Sequence, residues 1–303
     1  MDLRAENLRG AAFMTASMAG FCLNDTLVKS LAGELPLFQT VFLRGLFATL
    51  LVGLLAWRAG ALRFRPGGRD LRLMGLRLAG EIGATLSFLT ALFHMPLAEA
   101  TAIMQFIPLA VTLAAALFLG ERVGRRRGIA IAVGFLGVLV IIRPGAAGFD
   151  AYALWALAAI GFVALRELST RCLSPGAPAS LVVFATSAGM TAAAGFGALT
   201  EDWAPLGPGA LLRLAAAAGF LLVGYHCGVR AMRMGEIAFV QPFRYSLILW
   251  AIVLGLLVFG ERPDPLTLAG AAILVGTGIF ALHGERAGRE TAALPLSPRP
   301  PEA

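Results

Sequence analysis

The sequence predicts an all-α integral membrane protein: ten transmembrane helices in two inverted five-helix repeats, with both termini cytoplasmic. Three observations predict it. Of 303 residues, 58% are hydrophobic and only 14% charged, with a mean hydropathy of +0.79; a soluble domain carries about 25% charge. The apolar residues fall in runs of about twenty, the length that crosses a bilayer as a helix. One long stretch also occurs twice.

The first copy, 96–127, reads PLAEATAIMQFIPLAVTLAAALFLGERVGRRR, and the second, 233–265, reads RMGEIAFVQPFRYSLILWAIVLGLLVFGERPDP. Each opens on a small residue and Glu (Ala98-Glu99, Gly235-Glu236). Each then carries a Gln and a Pro (Gln105 and Pro108, Gln241 and Pro242) and closes on Gly-Glu-Arg (120–122, 260–262). Arg125-Arg126-Arg127 follows the first copy and Pro263-Asp264-Pro265 the second. Lys and Arg gather on the cytoplasmic side of membrane spans, so the first Gly-Glu-Arg turn is expected inside and its twin outside. Inverted repeats of this kind mark secondary transporters.

In order, spans are expected at about 8–29, 36–57, 73–94, 97–119, 128–142, 151–170, 180–199, 211–232, 236–259 and 266–283. Helices suit continuous apolar runs, whereas barrel strands alternate over about ten residues. The first run carries Asn24-Asp25 and no cleavage-site pattern, so it reads as a retained span and not a signal peptide. With the N-terminus inside, eighteen Lys and Arg fall on the inner side and four on the outer, leaving Arg44, Arg77 and Arg244 within spans. The first repeat is expected over 1–144 and the second over 149–284, joined by the helix-breaking linker Arg143 to Gly148. Loop 201–208 is acidic and turn-rich, and the tail 285–303 reads as disordered. Spans five and ten are nearly free of polar groups. Gly134, Gly137, Gly270, Ala272, Gly276 and Gly278 suit them to close packing, within the chain or in a homodimer.

Composition also excludes functions. The +7 charge and pI near 10.3 do not point to nucleic acid, because the basic residues sit between apolar runs, beside anionic lipid. Cys22, Cys172 and Cys227 show no metal or redox spacing. No phosphate cradle with Lys and Ser/Thr occurs, nor any nucleophile triad. The chain does not read as an enzyme, and no cofactor or metal is expected.

An ionisable side chain near mid-membrane costs about 2.5–3.5 kcal/mol on insertion scales, so it tends to face a cavity or a partner. The candidates are Asp25, Arg44, Arg77, Glu81, His94, Glu99, His226, Glu236 and Arg244. Arg44 lies about 12 Å below the outer end of span two. In an antiparallel hairpin it would meet Asp25, with Asn24 sharing the place. That is either a solute or coupling-ion site or a permanent structural pair. Pro108 and Pro242 remove backbone donors near Gln105 and Gln241, and freed carbonyls in a bilayer are tolerated only against protein or a wet cavity. These turns, with Arg244 and Tyr245, therefore either line a cavity or form packed kinks. Glu99 and Glu236 suit the positive ends of helices. Arg77 and Glu81, at i and i+4, read as a self-satisfied pair. His94 and His226 are isolated. Phe106, Tyr225, Phe243 and Trp250 offer stacking or ordinary packing.

These residues together resemble the ten-helix branch of the drug/metabolite transporter superfamily, built from two EamA-type repeats. The resemblance rests on Asn24 to Lys29, Phe38 to Arg44, Pro96 to Ala100, Gly120-Glu121-Arg122, Pro242 to Tyr245, Trp250-Ala251, Phe259-Gly260-Glu261 and the glycines of span ten. It implies alternating-access transport of a small organic metabolite across a bacterial inner membrane, through a central cavity with spans five and ten peripheral. Proton or ion coupling is compatible with it, with Asp25 the better proton candidate. The narrower resemblance is to riboflavin and S-adenosylmethionine uptake carriers. Together with the polar turns and aromatic rings above, it makes Asn24, Asp25, Gln39, Arg44, Gln105, Phe106, Gln241, Arg244 and Tyr245 the expected solute-binding residues. A flavin would use Phe106, Tyr245, Gln105 and Gln241. A sulfonium with a carboxylate would use Asp25 with Arg44 or Arg244. Uptake of a flavin-like solute is the reading preferred, with an S-adenosylmethionine carrier or an amino-acid or metabolite exporter as alternatives and a non-transporting scaffold as the reading from another class.

Overall fold

The computed structural model describes residues 3–293 apart from 122, 145–149, 233 and 235–236. Arg122, Arg233, Gly235-Glu236, the linker residues 145–148 and the tail beyond 293 thus lie outside the described residues. Within them all regular structure is helical. The segments are α1 (Leu3–Lys29), α2 (Leu37–Arg58), α3 (Gly68–His94), α4 (Leu97–Met104), α5 (Ile107–Leu119), α6 (Arg125–Ile142), α7 (Ala153–Arg171), α8 (Ala179–Ala198), α9 (Pro208–Met232), α10 (Ile237–Val240), α11 (Ser246–Phe259) and α12 (Pro265–Ala293).

Local chemistry sets the ends. Met95 stands before Pro96 in extended backbone (φ −126°, ψ 161°), which stops α3 and turns the chain into α4. Pro108 brings no N–H, so the chain tightens just before it: Gln105 and Phe106 donate to the carbonyls of Ala102 and Ile103, three residues back. The same happens at Pro242, where Gln241–Tyr245 is a 3-10 turn between α10 and α11. Each is thus one rod broken in the middle. Gly120 and Gly260 end α5 and α11 with φ of 68° and 67°, a conformation that favours glycine. In both turns the following Glu N–H reaches back into the helix, Glu121 to Ala115 O and Glu261 to Gly255 O.

Among the described residues, seven rods are long and apolar enough to cross a membrane: Leu37–Arg58, Gly68–His94, Leu97–Leu119, Ala153–Arg171, Ala179–Ala198, Pro208–Met232 and Gln241–Phe259. Pro265–Ala281 is apolar but shorter. Of the rest, α1 carries Arg4, Glu6, Arg9, Asp25 and Lys29, and α6 opens on three arginines.

The helices pack in pairs: α1 on α9, α3 on α7, α2 on α8, and α6 on α12, with α11 against α1 and α4 and α5 against α7. Without a hydrophobic drive between helices in lipid, close backbone approach carries the packing. A Cβ on Gly20 would meet Gly224 N and Phe220 O at 2.9 Å, and one on Gly80 would meet Arg166 N at 2.8 Å and Phe162 O at 2.9 Å. In the α6–α12 seam a Cβ on Gly270 would lie 2.7 Å from Gly137 O. Inside, Val28, Leu92, Leu97 and Ile103 are fully buried, while Leu50, Leu117, Phe118 and Leu257 face outward. An apolar exterior is what a bilayer solvates.

Asp264 ties the ends of α6 and α12. Its Oδ1 accepts from Leu266 N at 2.8 Å and Thr267 N at 3.1 Å, and it pairs with Arg143. Partial burial works against the charged form, but the hydrogen bonds from Thr267, Arg143 and Leu266 prevail and hold its carboxyl at about 2. A depressed carboxylate contributes stability above its unfolded pKa of about 3.9. That contribution disappears as pH falls through about 2. Asp264→Asn is therefore expected to lose about 1 kcal/mol at neutral pH, discounted for its exposure, and to show less acid sensitivity between about pH 4 and 2. Melting curves of both proteins across that window test it; parallel curves would refute it.

Candidate functional site

A cavity with about 710 Å³ of empty space opens between α2, α3, α8 and α9. Its wall mixes apolar residues (Val41, Ala48, Val52, Met190, Leu221, Leu222) with Arg44, Arg77, Glu81, Thr85, Thr186, Ser187, Thr191 and Tyr225. Arg77, Glu81 and Thr85 recur every four residues, so α3 presents them as one stripe. Two guanidiniums face one carboxylate, and that carboxylate is shared. Arg166 of α7 donates from Nη1 to Glu81 Oε2 at 3.2 Å and from Nη2 to Glu167 at 2.8 Å. The expected pairing of Glu81 with Arg77 is thus replaced. Arg77 instead donates to Thr186 at 3.2 Å and to Thr170. Sequence spacing brought Arg77 and Glu81 together, but the partner helix supplies a better-placed cation.

Asn24, Asp25 and Arg44 meet at one corner. Arg44 Nη1 donates to Asn24 Oδ1 at 3.3 Å, and Asn24 Nδ2 donates to Asp25 Oδ1 at 2.8 Å. The amide thus bridges the two charges. On α8, Ser187 and Thr191 hydrogen-bond Thr49 of α2 at 2.8 and 2.9 Å, so a row of hydroxyls runs along the wall. Tyr225 closes one side, edge-on to Phe21 at 5.2 Å.

The other expected residues lie elsewhere. Gln39 is fully buried at the start of α2, where Nε2 donates to Ala204 O at 2.9 Å and Oε1 accepts from Ala204 N at 3.0 Å. Beside it Glu201 accepts from the N–H groups of Phe38 and Gln39 at 3.1 and 3.0 Å. Gln105 and Phe106 form the α4–α5 break. Gln105 Nε2 is buried with no hydrogen-bond partner among the described residues, and the Phe106 ring rests on Phe135 at 6.1 Å. Gln241, Arg244 and Tyr245 line a second cavity, with about 580 Å³ of empty space, between α5, α6, the 241–245 turn and α12. Arg127 and Thr112 share it. So the structure gathers Asn24, Asp25 and Arg44 in one place and Gln241, Arg244 and Tyr245 in another.

Both Gly-Glu turns hold a cation at a helix end. Glu261 takes Lys29 Nζ at 2.6 Å and Leu97 N at 2.7 Å, and Lys29 also donates to Met95 O at 2.6 Å. Glu121 takes Arg171 at 2.7 Å.

Sequence reasoning passed over Arg77, Glu81, Thr85 and the Thr186–Thr191 hydroxyls as a site. Their signal was present: polar residues at four-residue spacing on α3, and three hydroxyls within six residues of an apolar span. Tyr225 stands out in the sequence only as a ring for stacking or ordinary packing.

Apolar rods packed side by side around a polar, two-arginine cavity are the build of a membrane solute carrier. Comparison with known proteins gives the family. Residues 8–143 match the EamA-like transporter family. An S-adenosylmethionine uptake transporter from Rickettsia conorii is 29% identical over 287 residues, covering 92% of this chain and 94% of that one. The pseudopaline exporter CntI of Pseudomonas aeruginosa is 32% identical over 260 residues (84% and 89%). A riboflavin transporter from Vibrio cholerae is 26% identical over 294 residues (94% and 96%). A solved crystal structure superposes with a TM-score of 0.59 at 19% identity over 92% of this chain and 98% of that one, a likeness of fold alone. The chain belongs to the EamA-like transporter family of the drug/metabolite transporter superfamily, and is a multi-pass membrane transporter.

Proposed function

We propose that this protein is a secondary carrier that moves a carboxylate-bearing metabolite across a bacterial inner membrane by alternating access. The cavity between α2, α3, α8 and α9 is its binding site. One observation carries the reading: Arg44 and Arg77 both line the cavity, while Glu81, the one carboxylate lining it among the described residues, is engaged by Arg166, and Asp25 reaches Arg44 only through the Asn24 amide. Guanidiniums in a site of low polarity select carboxylates with bidentate geometry. S-adenosylmethionine, with a carboxylate for the arginines and cationic groups for Glu81 or Asp25, is the first solute to test. Riboflavin is the second reading, favoured by the hydroxyl row at Thr85, Thr186, Ser187 and Thr191 and by the Tyr225 ring. Asn24, Asp25 and Arg44 form the corner of the site nearest α1, and Asp25 is the group proposed for proton coupling.

The proposed architecture is ten spans with both termini cytoplasmic: repeats at 1–144 and 149–284 and a cytoplasmic tail at 285–303. Counting α4 with α5 and α10 with α11 gives five rods in each half. Exchanging the halves turns α1 on α9 into α7 on α3, and returns α2 on α8 and α6 on α12 to themselves, as two related units would require. The Lys29–Glu261 and Arg171–Glu121 pairs exchange in the same way. The excess of Lys and Arg on one side supports the orientation.

Thermal-shift titration of the purified protein tests the solute. A ligand that binds only the folded form at 100 times its Kd adds about 2.7 kcal/mol of stability. S-adenosylmethionine is expected to raise the melting temperature and its decarboxylated analogue is not. Equal shifts from both would remove the carboxylate reading. Side-specific labelling of the 123–124 and 262–265 turns tests the inversion, which requires that they react from opposite faces.

A further inference from the structure

The second cavity has chemistry that the carrier site does not use. Its wall brings Arg127 from the start of α6, and Gln241, Arg244 and Tyr245 from the 241–245 turn, together with the Thr112 hydroxyl. Among the described residues its charged lining is two guanidiniums, chemistry that suits an anion. On the far side of Tyr245 lies a groove of about 1110 Å³ between α11 and α12, lined by Phe243, Leu249, Ile252, Leu268, Ala271 and Val275 among others. Leu249 is 66% exposed and Leu268 44% exposed, so the groove opens on the apolar exterior. Tyr245 divides the two. Its hydroxyl sits over Gly278, where a Cβ would lie 1.5 Å from Oη, so a larger residue there must push the ring aside. At Gly276, one face round on α12, a Cβ would meet nothing within 4 Å: the groove floor is empty.

A free anion has no use for the groove, and a neutral lipid has none for two arginines. One molecule uses both. We infer that this seam is a binding site for an anionic phospholipid, its phosphate held by Arg127 and Arg244 and an acyl chain laid in the groove between α11 and α12. Charge complementarity carries the choice of occupant, since basic pockets between helices on the cytoplasmic side take anionic headgroups. Placing the pocket on that side rests on the orientation proposed above. The bound lipid would hold the broken 241–245 turn against α12, across the seam from the solute cavity.

Binding measured in detergent micelles tests this separately from transport and topology. Purified protein would be titrated with phosphatidylglycerol and phosphatidylcholine, with occupancy read by native mass spectrometry. The wild type is expected to bind one phosphatidylglycerol in clear preference to phosphatidylcholine. Arg127→Gln with Arg244→Gln should lower that preference about tenfold or more, as two basic contacts to an anionic lipid imply. Gly276→Leu, whose Cβ meets nothing within 4 Å and whose side chain enters the groove, should weaken both lipids while leaving solute binding at Arg44 and Arg77 unchanged. An undiminished preference in the double variant would overturn the site. Displacement of the lipid by equimolar inorganic phosphate would make it a free-anion pocket, and displacement by the transported solute would make it part of the transport path. Either result overturns the lipid assignment. Loss of solute binding in Gly276→Leu would do the same.

Discussion

Arg44→Gln combined with Arg77→Gln is expected to lower solute affinity at least 100-fold while the protein still folds. Each charge-assisted hydrogen bond contributes about 1.5–3 kcal/mol net, and every 1.4 kcal/mol is about tenfold in Kd. Glutamine keeps a donor for Asn24 at one position and for Thr186 at the other, so the helix contacts lose little. Arg44→Lys should retain part of the binding because it keeps the charge and gives up only the forked geometry. Equilibrium binding of radiolabelled solute, beside melting curves, separates affinity from folding. A double variant that binds within threefold of wild type would show that the solute sits elsewhere.

Gly80→Ala is expected to destabilise the protein by about 2–3 kcal/mol, the scale of overpacking in a filled interior. The new methyl would lie 2.8 Å from Arg166 N and 2.9 Å from Phe162 O. Both are backbone atoms, so no rotamer change gives relief and α3 must move away from α7. That movement draws Arg166 away from Glu81, so solute binding should weaken as well. Gly83→Ala meets only the Phe162 ring, which can turn, and should cost less. Gly75→Ala meets nothing and should gain up to about 1 kcal/mol of helix propensity. Apparent melting temperatures of the three variants in one detergent rank them. If Gly75→Ala and Gly80→Ala melt together, close backbone contact between α3 and α7 does not govern stability.

Much of the backbone could be read from the chain because the signals are local. Runs of apolar residues gave the rods, Pro96 and Gly120 their ends, and Pro108 and Pro242 their breaks. The glycines of α6 and α12 marked both for close packing, but that they pack on each other shows only in the structure. Side-chain partners were harder to read because they depend on which helices become neighbours. Spacing along α3 put Arg77 beside Glu81, yet Arg166 arrives from α7 and takes the carboxylate. Arg44 and Asp25 do come to one corner, but the Asn24 amide stands between them. Gln241 and Arg244 do belong together, though in a cavity apart from Arg44. The α3 and α8 faces that line the larger cavity carry an ordinary helical period. Their polar residues do not stand out one by one; the stripe is visible only when each helix is taken by face.

The broken turn at Gln241–Tyr245 also sets a length. A 3-10 turn rises about 2.0 Å per residue against about 1.5 Å for the α-helix. The twenty-three residues of that rod from Ile237 to Phe259, five of them in the turn, therefore reach about 37 Å where an unbroken helix would reach about 34.5 Å. The hydrocarbon layer is about 30 Å thick. Winding more tightly for one turn thus lengthens a rod already long enough for that layer, and a rod longer than the layer is accommodated by tilt.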